Sequence, residues 1–142
     1  MIWSMKKSIN FRRGRTCVFQ MHAHLVFVTK YRRTVFTKQI LKNLQEIFQE
    51  VCLDFESELV EMDGEQDHVH LLINFPPKVS ISKLVNSLKG VSSRLIRKKD
   101  YPSIKKALWG KALWSPSYFA ASCGGAPLNI VQQYIQQQKT PD

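Results

Sequence analysis

Two hydrophobic periods alternate along this chain, and each switch between them marks an element. Residues 16–30, TCVFQMHAHLVFVTK, are dense in β-branched and aromatic side chains and predict a long first strand. YRRTVFT then turns the chain. From Ile40 the apolar positions fall at Ile40, Leu41, Leu44, Ile47, Phe48, Val51, Cys52 and Phe55. That helical spacing predicts an amphipathic helix over about 38–55. ELVEMDGEQDHVHLLINF returns to strand texture and reads as two strands meeting at the turn signal DG. The second of them covers about 68–75 and is ended by Pro76 and Pro77. Ser80 is placed to cap a second helix with the stripe Ile81, Leu84, Val85, Leu88, Val91, Leu95 and Ile96. YPSIKKALWGKAL carries neither period and reads as a loop or short irregular segment. WSPSYFAASC reads as a fourth strand, closed by Gly124 and Gly125. Pro127 suits the first position of a last helix running through LNIVQQYIQQQ.

The order β-α-β-β-α-β plus a C-terminal helix predicts an α+β fold of the ferredoxin-like, RRM-like kind. Its antiparallel sheet carries two helices on one face. The other face is left open, and the last helix lies near it or swaps onto a partner chain. One domain spans 1–142, with residues 1–14 as a basic arm.

Composition narrows the partners. The chain is 44% hydrophobic and 23% charged, an ordinary globular balance. No apolar run approaches the roughly 20 residues that span a bilayer. The basic start MIWSMKKSINFRRGR has no apolar stretch behind it, so a secretory signal is not expected. Cys17, Cys52 and Cys123 form no CxxC pair, and a reducing cytoplasm is the simplest setting. Lys and Arg number 21 against 11 Asp and Glu, a net charge of +10. That excess favours a polyanion, most simply nucleic acid, over a membrane surface.

The stretch DHVHLLINF places two imidazoles on one strand. Alternation turns Val69, Leu71 and Ile73 towards the helices and His68 and His70 towards the open face. The pair either holds a metal or packs with satisfied nitrogens, and two ligands alone do not complete a site. Alternation also turns Asp67 away from His68, which argues against it as a base. Tyr134 and Gln138 sit one turn apart on one side of the last helix. By spacing alone they are equally a boundary aromatic and a solvated amide. His22 and His24 repeat the H-x-H form and read as structural or surface residues.

DHVHLLI, PPKVSISKLVNSLKGVSSRLIRK, LWSPSYFAASCGGAP and VQQYIQQQ, in this order and spacing, resemble the single-tyrosine HUH transposases of the insertion-sequence 200/605 group. HLVFVTKYRR looks like that family's first strand, and the likeness runs from about residue 14 to the end. The resemblance implies that His68 and His70 are metal ligands, Gln138 a third ligand, and Tyr134 the nucleophile. It implies Mg2+ or Mn2+ as cofactor and single-stranded DNA with hairpin-forming transposon ends as substrate. It also implies a homodimer in which the tyrosine helix of one subunit can complete the active site of the other. Where many relatives carry an acidic residue two positions after the tyrosine, this chain has Gln136.

The implied chemistry is transesterification: Tyr134 attacks the phosphodiester, and a second 3′-OH later resolves the 5′-phosphotyrosine. No Gly-rich phosphate loop is present, in keeping with a reaction that needs no ATP. Lys30, Arg32 and Arg33, with Lys89 and Arg94 on the second long helix, are the candidate DNA-backbone contacts; the alternative for each is a solvated charge. Trp114 and Tyr118 could stack on bases, although core packing suits Trp114 better. Three other readings remain: a domesticated relative cutting palindromic repeats, a water-using metal nuclease, and a non-catalytic ferredoxin-like nucleic-acid-binding module.

Overall fold

The computed structural model describes residues 12–14, 17–108, 112–122 and 135–137. Arg12–Arg13 (β1) and Val18–Phe19 (β2) pair as a small antiparallel ribbon. The main elements follow in order: His22–Val28 (β3), Lys38–Asp54 (α1), Glu58–Gly64 (β4), His68–Asn74 (β5), Ile81–Lys98 (α2), Pro102–Ala107 (α3) and Phe119–Ser122 (β6). The four longer strands form one sheet in the order β4-β5-β3-β6, with every neighbouring pair antiparallel. From β3 onwards this is the expected ferredoxin-like arrangement, with α3 added between α2 and β6.

Each long helix starts where a hydroxyl can satisfy an orphan amide. Thr37 Oγ1 accepts from the Ile40 amide at 3.2 Å, and Ser80 Oγ accepts from the Lys83 amide at 3.4 Å. The apolar stripes of α1 and α2 then pack against Leu25, Phe27, Val69, Leu71 and Ile73 on one face of the sheet. Trp114 enters this core from the loop before β6. Its indole meets Phe27 and Phe36, and its Nε1 donates to Ser92 Oγ at 2.9 Å. A ring buried in this way is not offered to bases.

Four local features differ from the sequence expectation. The first strand runs only over His22–Val28. It is ended by a tight turn in which Tyr31 and Arg32 have φ of 59° and 55°, a conformation that non-glycine residues adopt at a cost of about 1–2 kcal/mol each. Thr29 Oγ1 holds that turn by donating to the Arg33 carbonyl at 2.7 Å. The DG dipeptide is not the hairpin turn: Gly64 still pairs with Val69, and the chain reverses over residues 65–67. A Cβ on Gly64 would stand 2.7 Å from Leu41 Cδ2, so close approach of α1 accounts for the glycine. Finally, residues 102–107 form a short helix with Pro102 at its start, and Arg12–Phe19 supplies an unpredicted ribbon.

Candidate active site

Register decides what surrounds the histidine pair. On the β3–β5 ladder Val26 stands opposite His70 and Val28 opposite His68, all four on the face away from α1 and α2. Val26 and Val28 are buried there with Ile135, which is 7% exposed, and Phe119 packs against them. Residues 135–137 are helical. A turn of the last helix therefore lies on the open face of its own chain, beside the two imidazoles. Tyr134 and Gln138, which flank this turn in sequence, fall outside the described residues.

Both imidazoles are held through Nδ1. His68 Nδ1 lies 2.7 Å from Asp67 Oδ1, and His70 Nδ1 lies 3.2 Å from His24 Nε2. Each Nε2 is without a protein partner among the described residues. A carboxylate only accepts, so His68 donates from Nδ1, the arrangement that in the neutral ring leaves the lone pair on Nε2. Burial pushes His70 down to about 4, helped by the neighbouring His68 and His24 and opposed by Asp63. His70 is thus a neutral base near pH 7, the protonation state a ligand needs.

The Asp67 contact corrects the expectation from alternation. Residues 65–67 form the hairpin loop, so Asp67 precedes β5 and the strand period does not apply to it. The loop is fixed by the turn after β3: the Gln66 carbonyl accepts from the amides of Val35 and Phe36, each at 2.9 Å. The Asp67 carbonyl accepts from the Thr29 amide, also at 2.9 Å. Burial alone would raise the Asp67 carboxyl. The hydrogen bonds and charges of His68 and Arg32 outweigh it and hold the group below its ordinary range.

The five candidate DNA contacts separate. Arg32 donates from Nε to Asp67 Oδ2 at 2.6 Å and from Nη1 to Gln136 Oε1 at 3.0 Å. It ties the loop beside His68 to the last helix and belongs to the site's frame. Lys30, partly buried, sits over the Tyr31 ring at 5.5 Å, and Arg33 is exposed on the same turn. Both lie at the end of β3 that pairs with His68. Lys89 is engaged differently: its ammonium donates to the carbonyls of Ser115, Pro116 and Ser117 at 2.7, 3.2 and 3.1 Å. That makes it a clamp on the loop entering β6, under the helical face. Arg94 is exposed on α2, in the layer on the other side of the sheet from the imidazoles. Sequence reading gave His24 a structural or surface role and turned Asp67 away from His68; neither period nor spacing reports a cross-strand diagonal or a loop residue bent back onto its neighbour.

The donor set fits a divalent ion in kind. Two imidazoles, each anchored at Nδ1 and without a protein partner at Nε2 among the described residues, give the donor pattern of a metal-binding histidine pair. Among the described residues no group of three or more His, Cys, Asp and Glu could hold an ion, so an ion at this pair would need donors from outside that set.

Comparison with known proteins bears on the same segments. The family model described as "Transposase IS200 like" matches residues 17–138. The ISDra2 transposase TnpA of Deinococcus radiodurans is 33% identical over 130 residues, spanning 92% of each chain. The transposase for insertion sequence element IS200 of Salmonella typhimurium is 29% identical over 119 residues, spanning 84% of this chain and 77% of that one. The crystal structure of a candidate transposase from Deinococcus radiodurans superposes with a TM-score of 0.77 at 32% identity, covering 89% of this chain and 97% of that one. A REP-associated tyrosine transposase bound to a REP hairpin shares the fold, with a TM-score of 0.51 at 13% identity over 87% of this chain and 67% of that one. Among the described residues, no helix is long and apolar enough to cross a membrane.

Proposed function

Because the chain belongs to the IS200-like transposase family, we propose that it is a metal-dependent enzyme that cuts and rejoins single-stranded DNA at hairpin-bearing ends through Tyr134. One observation carries this reading: His68 and His70 share the open face with a turn of the last helix, each anchored at Nδ1 and open at Nε2. A non-catalytic base-binding sheet would instead present aromatic rings on its middle strands. Here β3 and β5 offer His24, His68 and His70 among valines.

In the proposed reaction Tyr134 Oη forms a bond to phosphorus as the bond to the 3′ oxygen breaks. The 3′ oxygen leaves and gains a proton, and the DNA 5′-phosphate stays on the tyrosine. Attack by another 3′-OH reverses the step and makes a new junction. His68, His70 and Gln138 would hold Mg2+ or Mn2+, which supplies charge neutralisation and orientation at the phosphoryl group. Asp67 keeps His68 in the ligating tautomer, and Arg32 holds Asp67 in turn. Lys30 and Arg33 would meet the DNA backbone near the end of β3. Hairpin-forming DNA as substrate rests on the family resemblance, and a REP hairpin is bound by a protein of the same fold. A homodimer, with a tyrosine helix able to serve either subunit, belongs to the same reading.

The test is a labelled single-stranded hairpin incubated with protein and Mg2+ or Mn2+, then resolved under denaturing conditions. A covalent protein–DNA adduct is expected, absent with Tyr134→Phe and absent with chelator. An adduct formed by Tyr134→Phe overturns the nucleophile; cleavage without metal overturns the cofactor.

A further inference from the structure

We propose that His24 is a positioning residue for His70, fixing the His70 ring as its Nδ1–H tautomer so that the Nε2 lone pair is available for ligation. The inference rests on the reading of His70 as a ligand and extends it to a residue with no assigned role.

The register places His24 opposite Leu72, one step diagonal from His70 on the same face of the sheet. The two rings stack with centroids 5.4 Å apart and planes 30° from parallel, and His24 Nε2 comes to 3.2 Å from His70 Nδ1. One of these nitrogens carries the shared proton. Were it on His24 Nε2, the neutral His70 would hold its own proton on Nε2 and could not ligate through that atom. A ligating His70 must donate from Nδ1, and His24 must accept at Nε2 with its proton on Nδ1. His68 needs no such help, because Asp67 accepts unconditionally. The two ligands are thus oriented by different means, one by a carboxylate and one by a second imidazole. His22, two residues earlier on the same face, turns to Asn74 instead, at 3.4 Å, and takes no part.

His24→Leu removes the acceptor and keeps bulk; His24→Gln keeps an oxygen that can accept. Long-range nitrogen–proton correlation spectra of the metal-free proteins near neutral pH read the His70 tautomer directly. Mn2+ titration reads the consequence, a second-sphere loss of about 10–100-fold in affinity. The expected result is Nδ1–H at His70 in the parent, a shift towards Nε2–H with weakened Mn2+ binding in His24→Leu, and substantial recovery of both in His24→Gln. An unchanged His70 tautomer in a folded His24→Leu overturns the inference. If the parent binds no Mn2+, the metal reading fails by itself, and the tautomer still decides whether His24 orients His70.

Discussion

Adjacent residues of β5 serve opposite ends. Val69, Leu71 and Ile73 are fully buried against the helices, while His68 and His70 stand half-buried on the other face. The helical face is filled by apolar side chains from α1, α2 and Trp114, whose indole Nε1 donates to Ser92 Oγ. The other face holds imidazoles, a carboxylate and a guanidinium, with Val26, Val28, Ile135 and Phe119 among its apolar ground. One strand thus separates what holds the molecule together from the face of the proposed chemistry, and substitutions one residue apart should have unlike effects.

The widest separation is expected between Leu71→Ala and His70→Ala. Leu71→Ala leaves a cavity in a closed core and should cost about 2–5 kcal/mol in denaturant unfolding. His70→Ala should change stability far less, yet, on the proposed ligand role, lower cleavage on the order of 100-fold or more, since a metal ligand contributes several kcal/mol. Equal stability losses for the two would break the comparison. Next comes Asp67→Asn, which leaves the fold intact but loosens the hold on the His68 tautomer. Metal affinity should fall by about 10–100-fold in a Mn2+ titration.

Acid should act on both faces through the imidazole side. A histidine pushed down on folding binds its proton more readily in the unfolded chain, so stability is present above the ordinary pKa near 6.5 and is lost as pH falls from there towards about 4. His22 and His24, lowered by burial, add in the same direction. Melting temperature measured from pH 8 down to pH 5 should therefore decline, and His70→Gln should flatten the decline. The smallest effects belong to the two lysine and arginine candidates on α2. Lys89→Met breaks a charge-assisted clamp and should cost about 1–3 kcal/mol of stability, while Arg94→Ala should stay within about 0.5 kcal/mol. Neither should alter DNA cleavage to the extent expected of Lys30 or Arg33 substitutions under the proposed function.

Periodicity made most of the fold legible. The helix expected over 38–55 spans Lys38–Asp54, Ser80 caps α2, and the order of the main elements along the chain follows from the alternation of periods. The opposed faces of β5 were legible for the same reason, because alternation is a local rule. What escaped is non-local or irregular. The β1–β2 ribbon is two residues per strand, too short to show a period. The end of β3 depends on left-handed Tyr31 and Arg32, which no propensity would place there. His24 gained its meaning from a register, and Asp67 from a loop that lies outside the strand's alternation. Lys89 was visible as a charge but not as a clamp, since its partners lie 26 to 28 residues away.

The central claim is that the imidazole face holds the ion that activates the DNA. Electron spin-echo spectroscopy of the Mn2+-loaded protein tests it most directly, by counting histidine nitrogens coupled to the metal. The account predicts coupling to two imidazoles, with one lost in His68→Ala and one in His70→Ala. Mn2+-dependent cleavage with no histidine coupling, or coupling undiminished by either substitution, would contradict it.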